Sequence, residues 1–96
     1  MLVLVAYDVN TQTPEGKRRL RRIARQCENY GIRVQKSVFE CVVREQDWVL
    51  LRARLLKEYD SEKDSLRFYF LDEDVRRKTV HLGCAKPLDV EGTLIV

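Results

Sequence analysis

Apolar positions along this 96-residue chain change their spacing several times, and each change marks an element. Leu2 to Tyr7 (LVLVAY) is a continuous apolar run rich in branched side chains, which predicts a strand covered on both faces. Asp8 to Gln12 reads as a loop. Thr13 and Pro14 then form a helix start: the Thr oxygen accepts from a free first-turn amide, and Pro suits the first helical position, where an N–H has no partner anyway. Leu20, Ile23, Ala24, Cys27 and Tyr30 recur at three- and four-residue spacing and make one apolar stripe. Gly31 stands where a left-handed cap would close this helix.

Arg33 to Val43 has strand composition, but its apolar pattern changes phase near Lys36-Ser37. Two short strands joined by a tight turn or bulge are expected. A second helix should run from about Asp47 to Tyr59, with Trp48, Leu51, Leu55 and Tyr59 on one face. After a polar loop at Asp60 to Asp64, Leu66 to Leu71 alternates Leu66, Phe68 and Phe70 against Arg67, Tyr69 and Leu71, which is a strand pattern. Residues 72–78 read as a charged loop, and Thr79 to Leu82 and Thr93 to Val96 as edge or tail strands. No repeat, linker or low-complexity segment breaks the chain, so residues 1–96 form one α+β domain. Its order is βαββαβ, the ferredoxin-like arrangement, with residues 79–96 as a C-terminal extension. Two helices cover one face of such a sheet. The first strand is apolar on both faces, and Tyr69 and Leu71 lie opposite the other apolar set of the last strand. A bare face of this kind exceeds what a soluble monomer carries. The expectation is a homodimer, sheet against sheet, with the extension bracing the partner.

Composition sharpens this picture in one respect. At 45% hydrophobic and 34% charged the chain is globular, and its length closes a single core. The net charge of +3 conceals a block of cations: Lys17, Arg18, Arg19, Arg21, Arg22 and Arg25 share one helix, with Glu15 and Glu28 the nearby carboxylates. Like charges at helical spacing weaken a helix slightly unless an anion neutralises them. The block therefore reads either as a solvated face or as a phosphate-binding one, with the helix N-terminus adding to anion attraction. Cys27, Cys41 and Cys84 are odd in number and contain no C-x-x-C pair. That argues against a disulfide framework or zinc site, suits a reducing cytoplasm, and leaves the cysteines as small buried apolar groups. With His81 the single histidine, no Ser-His-Asp triad is available. The apolar start ends at Asp8, far short of the ~20 residues of a membrane span, and lacks signal-peptide flanks, so no membrane partner is expected.

Asp8 ends the first strand beside the basic helix start. A carboxylate there is placed to hold a divalent metal against a phosphate, since magnesium often binds through one or two carboxylates plus waters and phosphate oxygens. A two-fold dimer would bring two copies. An Asp in a turn also commonly bonds nearby amides, and the residues alone leave both readings open. Gly16-Lys17 resembles the end of a phosphate-binding P-loop, but Arg18 follows and no glycine stands five residues before Gly16. An RNA-recognition motif shares the topology, yet Ser37 to Cys41 lacks its glycine-rich third-strand signature.

Three features stand in register: Tyr7-Asp8 closing the first strand, the basic first helix, and Arg33-Val34-Gln35-Lys36-Ser37-Val38-Phe39-Glu40. Together with Asp64-Ser65-Leu66-Arg67 opening the last core strand, they resemble the small CRISPR adaptation subunit, CRISPR-associated protein two, over nearly the whole chain. Val80-His81-Leu82-Gly83 and Leu94-Ile95-Val96 resemble its type I-C subgroup. The resemblance implies a homodimer seated between two dimers of the adaptation integrase, CRISPR-associated protein one, in an assembly that inserts a double-stranded DNA prespacer into the CRISPR array. It also implies a magnesium- or manganese-dependent endonuclease acting on single-stranded RNA or double-stranded DNA, with the metal shared between the Asp8 of each subunit. Tyr7, Lys17, Arg19, Arg33 and Phe39 match positions implicated in that nuclease. At Lys17 some relatives have Arg; lysine keeps the charge without the two-point fork. Lys17, Arg18, Arg19, Arg22, Arg25 and Arg33 are the expected nucleic-acid contacts. A scaffold role with metal-dependent cleavage as an added activity is the favoured reading. The alternatives are a toxin-like ribonuclease of the same fold and a non-catalytic dimerisation module.

Overall fold

The computed structural model describes residues 1–84. It contains β1 (Leu2–Asp8), α1 (Pro14–Glu28), β2 (Ile32–Gln35), β3 (Val38–Val42), α2 (Glu45–Glu58) and β4 (Ser65–Leu71), followed by a single 3-10 turn at Glu73–Arg76. The strands form one antiparallel sheet in the order β2-β3-β1-β4. This is the ferredoxin-like arrangement, with the most apolar strand in the middle.

Local chemistry accounts for the element ends. Thr13 is extended (φ −122°, ψ 159°), and its Oγ1 accepts from the Gly16 amide at 3.1 Å, with Pro14 opening α1. The far end departs from expectation. Asn29 caps α1 in a right-handed conformation (φ −69°, ψ −17°), so Gly31 is not a left-handed cap. Glycine is required there for space: a Cβ on Gly31 would stand 2.5 Å from both Cys41 Sγ and the Glu40 carbonyl oxygen. The phase change in the 33–43 segment is a β-bulge, because Arg33 pairs with Phe39 while Gln35 pairs with Val38, leaving Val34 as the extra residue. α2 begins at Glu45, earlier than its apolar periodicity suggested, with Glu45 and Asp47 in its first turn, where the helix dipole favours acids.

Register divides the sheet into two faces. Val3, Val5 and Tyr7 of β1 lie opposite Cys41 and Phe39 of β3 and opposite Phe70, Phe68 and Leu66 of β4. This face packs on Ile23 and Cys27 of α1 and on Trp48, Leu51 and Leu55 of α2. Trp48 meets Phe68 and Phe70 edge-on, with ring centroids 4.8 and 5.3 Å apart. The other face carries Leu2, Leu4, Ala6 and Asp8 between Val42, Glu40 and Val38 on one side and Leu71, Tyr69, Arg67 and Ser65 on the other. It has no helix. Tyr69 and Leu71 fall on it, as the alternation in β4 requires.

Thr79 to Leu82 is not a strand, contrary to the sequence expectation. A strand needs a ladder partner, and the 3-10 turn leads the chain off β4; Arg76 Nε then comes within 3.9 Å of Glu40 on the helix-free face. The expected strand at Thr93 to Val96 lies outside the described residues, as does most of the 79–96 extension.

Candidate nucleic-acid interface and metal centre

Arg18, Arg21, Arg22 and Arg25 recur at helical spacing on the outer side of α1 and line one open groove. All are exposed, and so is Lys17. Among the described residues, the one ion pair made by these cations is Arg22 Nη1 to Glu58 at 3.9 Å, too long for a hydrogen bond. The guanidinium groups thus face solvent largely unneutralised, the geometry that tracks phosphates.

Arg19 departs from its neighbours. Its Nε donates to Asp64 Oδ2 at 2.8 Å and its Nη2 to Oδ1 at 3.2 Å. The Asp64 side chain is fully buried and also accepts from the amides of Asn10 at 3.1 Å and Asp60 at 2.9 Å. Burial alone would raise the Asp64 pKa. The bonds from Arg19, Asp60 and Asn10 outweigh it and hold the carboxyl below its ordinary value. Arg19 was detectable by spacing: it lies three residues after Gly16 and four before Ile23, both buried. A cation on a buried stripe requires an acidic partner, and sequence reasoning missed that the partner is Asp64.

Asp8 is exposed at the end of β1, on the helix-free face, opposite Ser65. It borders an open basin with Asn10, Thr11, Gln12, Glu62, Lys63, Asp64 and Ser65, of which the Asp64 carboxylate is already taken by Arg19. Asn10 supplies the turn bond expected of an Asx residue, accepting from the Gln12 amide at 2.9 Å. Among the described residues, no hydrogen bond or ion pair engages the Asp8 carboxylate, which leaves it available to a ligand. No group of three or more potential metal-ligating acids, histidines or cysteines occurs among the described residues. The donor set therefore fits a hydrated hard cation resting on the Asp8 carboxylate, with Glu62 the other uncommitted acid of the basin.

Tyr7, Phe39 and Arg33 are brought together, but away from Asp8. The rings of Tyr7 and Phe39 stack with centroids 6.3 Å apart, and the Arg33 guanidinium lies 5.0 Å from the Phe39 centroid. Arg33 also donates to the Lys36 carbonyl at 3.3 Å and to Glu28 at 3.4 Å. Burial raises the Tyr7 phenol pKa, partly countered by Arg33. Phe39 is wholly buried. Tyr7 points to the helix-covered face and Asp8 to the open one, so the sheet separates this cluster from the carboxylate.

Cys27 and Cys41 are core residues as expected, their thiols pushed up to about 12 by burial. Cys84 is exposed, against expectation, because its segment has no apolar cover. The His81 ring lies 2.9 Å from the Cys84 carbonyl oxygen. Among the described residues, no helix is long and apolar enough to cross a membrane.

The model of the family described as CRISPR associated protein Cas2 matches residues 1–79. A protein of Chlorobaculum tepidum named CRISPR-associated endoribonuclease Cas2 is 60% identical over 96 residues, covering the whole of both chains. One of Halalkalibacterium halodurans, named CRISPR-associated endonuclease Cas2, is 46% identical over 95 residues, 99% of each chain. The crystal structure of Streptococcus pyogenes Cas2 at pH 6.5 superimposes with a TM-score of 0.80 at 49% identity, covering 86% of this chain and all of the other.

Proposed function

We propose, from the premise that this chain belongs to the CRISPR associated protein Cas2 family, that it serves CRISPR adaptation as a homodimeric scaffold holding a DNA duplex for the integrase. A metal-dependent endonuclease activity centred on Asp8 accompanies that role. The observation that carries this reading is the row Arg18, Arg21, Arg22 and Arg25, exposed and nearly free of acidic partners on one helix face. Such a row meets sugar-phosphate backbone and reads no bases, which suits a protein that must hold duplexes of any sequence. The relatives' names divide between endoribonuclease and endonuclease, and a phosphate-tracking surface accommodates RNA or DNA.

The helix-free face supports the dimer, because Leu4, Tyr69 and Leu71 stay partly uncovered in one chain. Pairing two such faces about a two-fold axis sets two Asp8 carboxylates on the same side of the assembly. When bound there, magnesium supplies positive charge to a phosphoryl oxygen and acidifies a coordinated water. Asp8 would hold the ion through its exposed carboxylate, and Arg18, Arg21, Arg22 and Arg25 of α1 would hold the flanking phosphates. With one carboxylate per chain, cleavage should be modest.

The test is co-purification with the candidate integrase, then prespacer integration and magnesium-dependent cleavage with wild type and Asp8→Asn. Cleavage should fall at least ~10-fold, about 1.4 kcal/mol of transition-state stabilisation, while duplex binding and integration survive. Cleavage that persists in Asp8→Asn would place the active site elsewhere. Integration that fails while the dimer stays intact would make Asp8 chemistry part of the adaptation role.

A further inference from the structure

Position in the sequence groups Arg19 with the phosphate-facing cations, but its geometry gives it another task. The two oxygens of Asp64 take four donors from three segments: the Asn10 amide of the β1–α1 loop, the Asp60 amide of the α2–β4 loop, and Nε and Nη2 of Arg19 on α1. A carboxylate has about four acceptor sites, so this one is filled. The Arg19 edge that would grip a phosphate at two points is occupied by Asp64, and the Arg19 side chain is only 16% exposed.

Asn10 is held on three sides. Its amide donates to Asp64, its side-chain oxygen accepts from Gln12, and its carbonyl lies against the bare Cα of Gly16. Asp8 stands two residues before Asn10 and pairs with Ser65, the residue after Asp64. Both backbone anchors that aim the Asp8 carboxylate therefore converge on one buried acid.

We infer that Asp64 and Arg19 are positioning residues for the Asp8 site, Arg19 acting through Asp64 and not through phosphate. This rests on the reading of Asp8 as the centre of cleavage. Loss of the clamp frees the end of β1 and the loop after it, and a displacement of ~1 Å at a reacting group can cost about 100-fold in rate.

The experiment compares Arg19→Gln, Asp64→Asn and the double variant in the dimer, reading kcat and KM for magnesium-dependent cleavage. It also reads the salt dependence of duplex binding and amide exchange at Asn10 and Asp60. Each single variant should lower kcat ~10-fold or more, with KM and the salt slope unchanged, and the double should be no worse than about twofold beyond either single. Exchange at Asn10 and Asp60 should quicken in Asp64→Asn. A salt slope that drops by about one per lost contact in Arg19→Gln would make Arg19 a phosphate contact and overturn the inference. So would unchanged kcat and exchange in Asp64→Asn. Should Asp64→Asn melt below the assay temperature, Arg19→Gln decides alone: lower kcat at constant slope supports the inference, and a lower slope refutes it. If Asp8→Asn cleaves as wild type does, the Asp8 reading has failed; slope and amide exchange then still decide whether Arg19 acts through Asp64.

Discussion

Replacing Gly16 by alanine should destabilise this protein, against the usual rule for helices. In a helix interior, alanine is about 0.8–1.0 kcal/mol more favourable than glycine. Gly16 lies in the first turn of α1, where that gain is at most the same size. Against it stands a steric fact: a Cβ here would meet the Asn10 carbonyl oxygen at 1.9 Å, the Asn10 carbonyl carbon at 3.0 Å and Thr11 Cα at 3.3 Å. All three are backbone atoms, so no rotamer change relieves the contact. The carbonyl must retreat by more than about 1 Å, a strain of the kind that costs about 1–3 kcal/mol. The same retreat stretches the 3.1 Å bond from the Asn10 amide to Asp64 and the 3.1 Å cap from Gly16 to Thr13, each worth about 1 kcal/mol. The net expectation is a loss of about 2–3 kcal/mol, or roughly 10–20 °C in Tm for a domain of this size. Urea titration followed by fluorescence of the single Trp48, at fixed protein concentration, measures it directly. A midpoint unchanged or raised, with the same slope against urea, would show that the Asn10 segment yields freely. The placement of the Asp8 loop by close packing would then be wrong.

The proposed pairing of two chains predicts a dimer at low micromolar concentration in sedimentation equilibrium, and Leu71→Lys, on the helix-free face, should dissociate it while leaving the fold intact; a well-folded wild-type monomer would refute the pairing, and dissociation by Phe68 variants but not by Leu71→Lys would reverse the faces. Arg18→Ala or Arg22→Ala should reduce the slope of log duplex affinity against log salt by about one per lost phosphate contact, summed over both subunits, and an unchanged slope with unchanged affinity would make α1 a merely solvated face. Asp64 also predicts an acid dependence. Its folded pKa lies below the ordinary 3.8, so its contribution to stability is complete above that value and is lost as pH falls through the lower folded value. The stability gap between wild type and Asp64→Asn should accordingly hold from pH 7 to 5 and close below about pH 3.8; a gap that closes already between pH 7 and 5 would refute the clamp.

Element type was legible wherever burial follows the local pattern. The doubly apolar β1, the stripe on α1 and the alternation in β4 each record which face meets the core, and register in the sheet agrees with them, although Phe70, at the rim of the core face, stays 58% exposed. The bulge at Val34 was legible as a phase change without its exact place. Interactions between distant segments leave no such local trace. Gly31 looks like a helix cap in sequence, yet it is constrained by Cys41, which only the folded β3 brings near. Arg19 looks like one more cation of a basic helix, and its difference lies in a carboxylate 45 residues away. Thr79 to Leu82 has strand composition, but composition cannot supply the ladder partner.

The two core cysteines give this molecule an internal clock. With thiols pushed up to about 12, Cys27 and Cys41 hold a thiolate fraction of only about one part in 100,000 at neutral pH, and they are screened from reagents besides. An alkylating reagent added to native protein modifies the exposed Cys84 at once. It reaches the other two sulfurs only as fast as α1 lifts from the sheet. Counting labels per chain over time thus reports how often the core under α1 opens, without a probe having to be engineered into the fold.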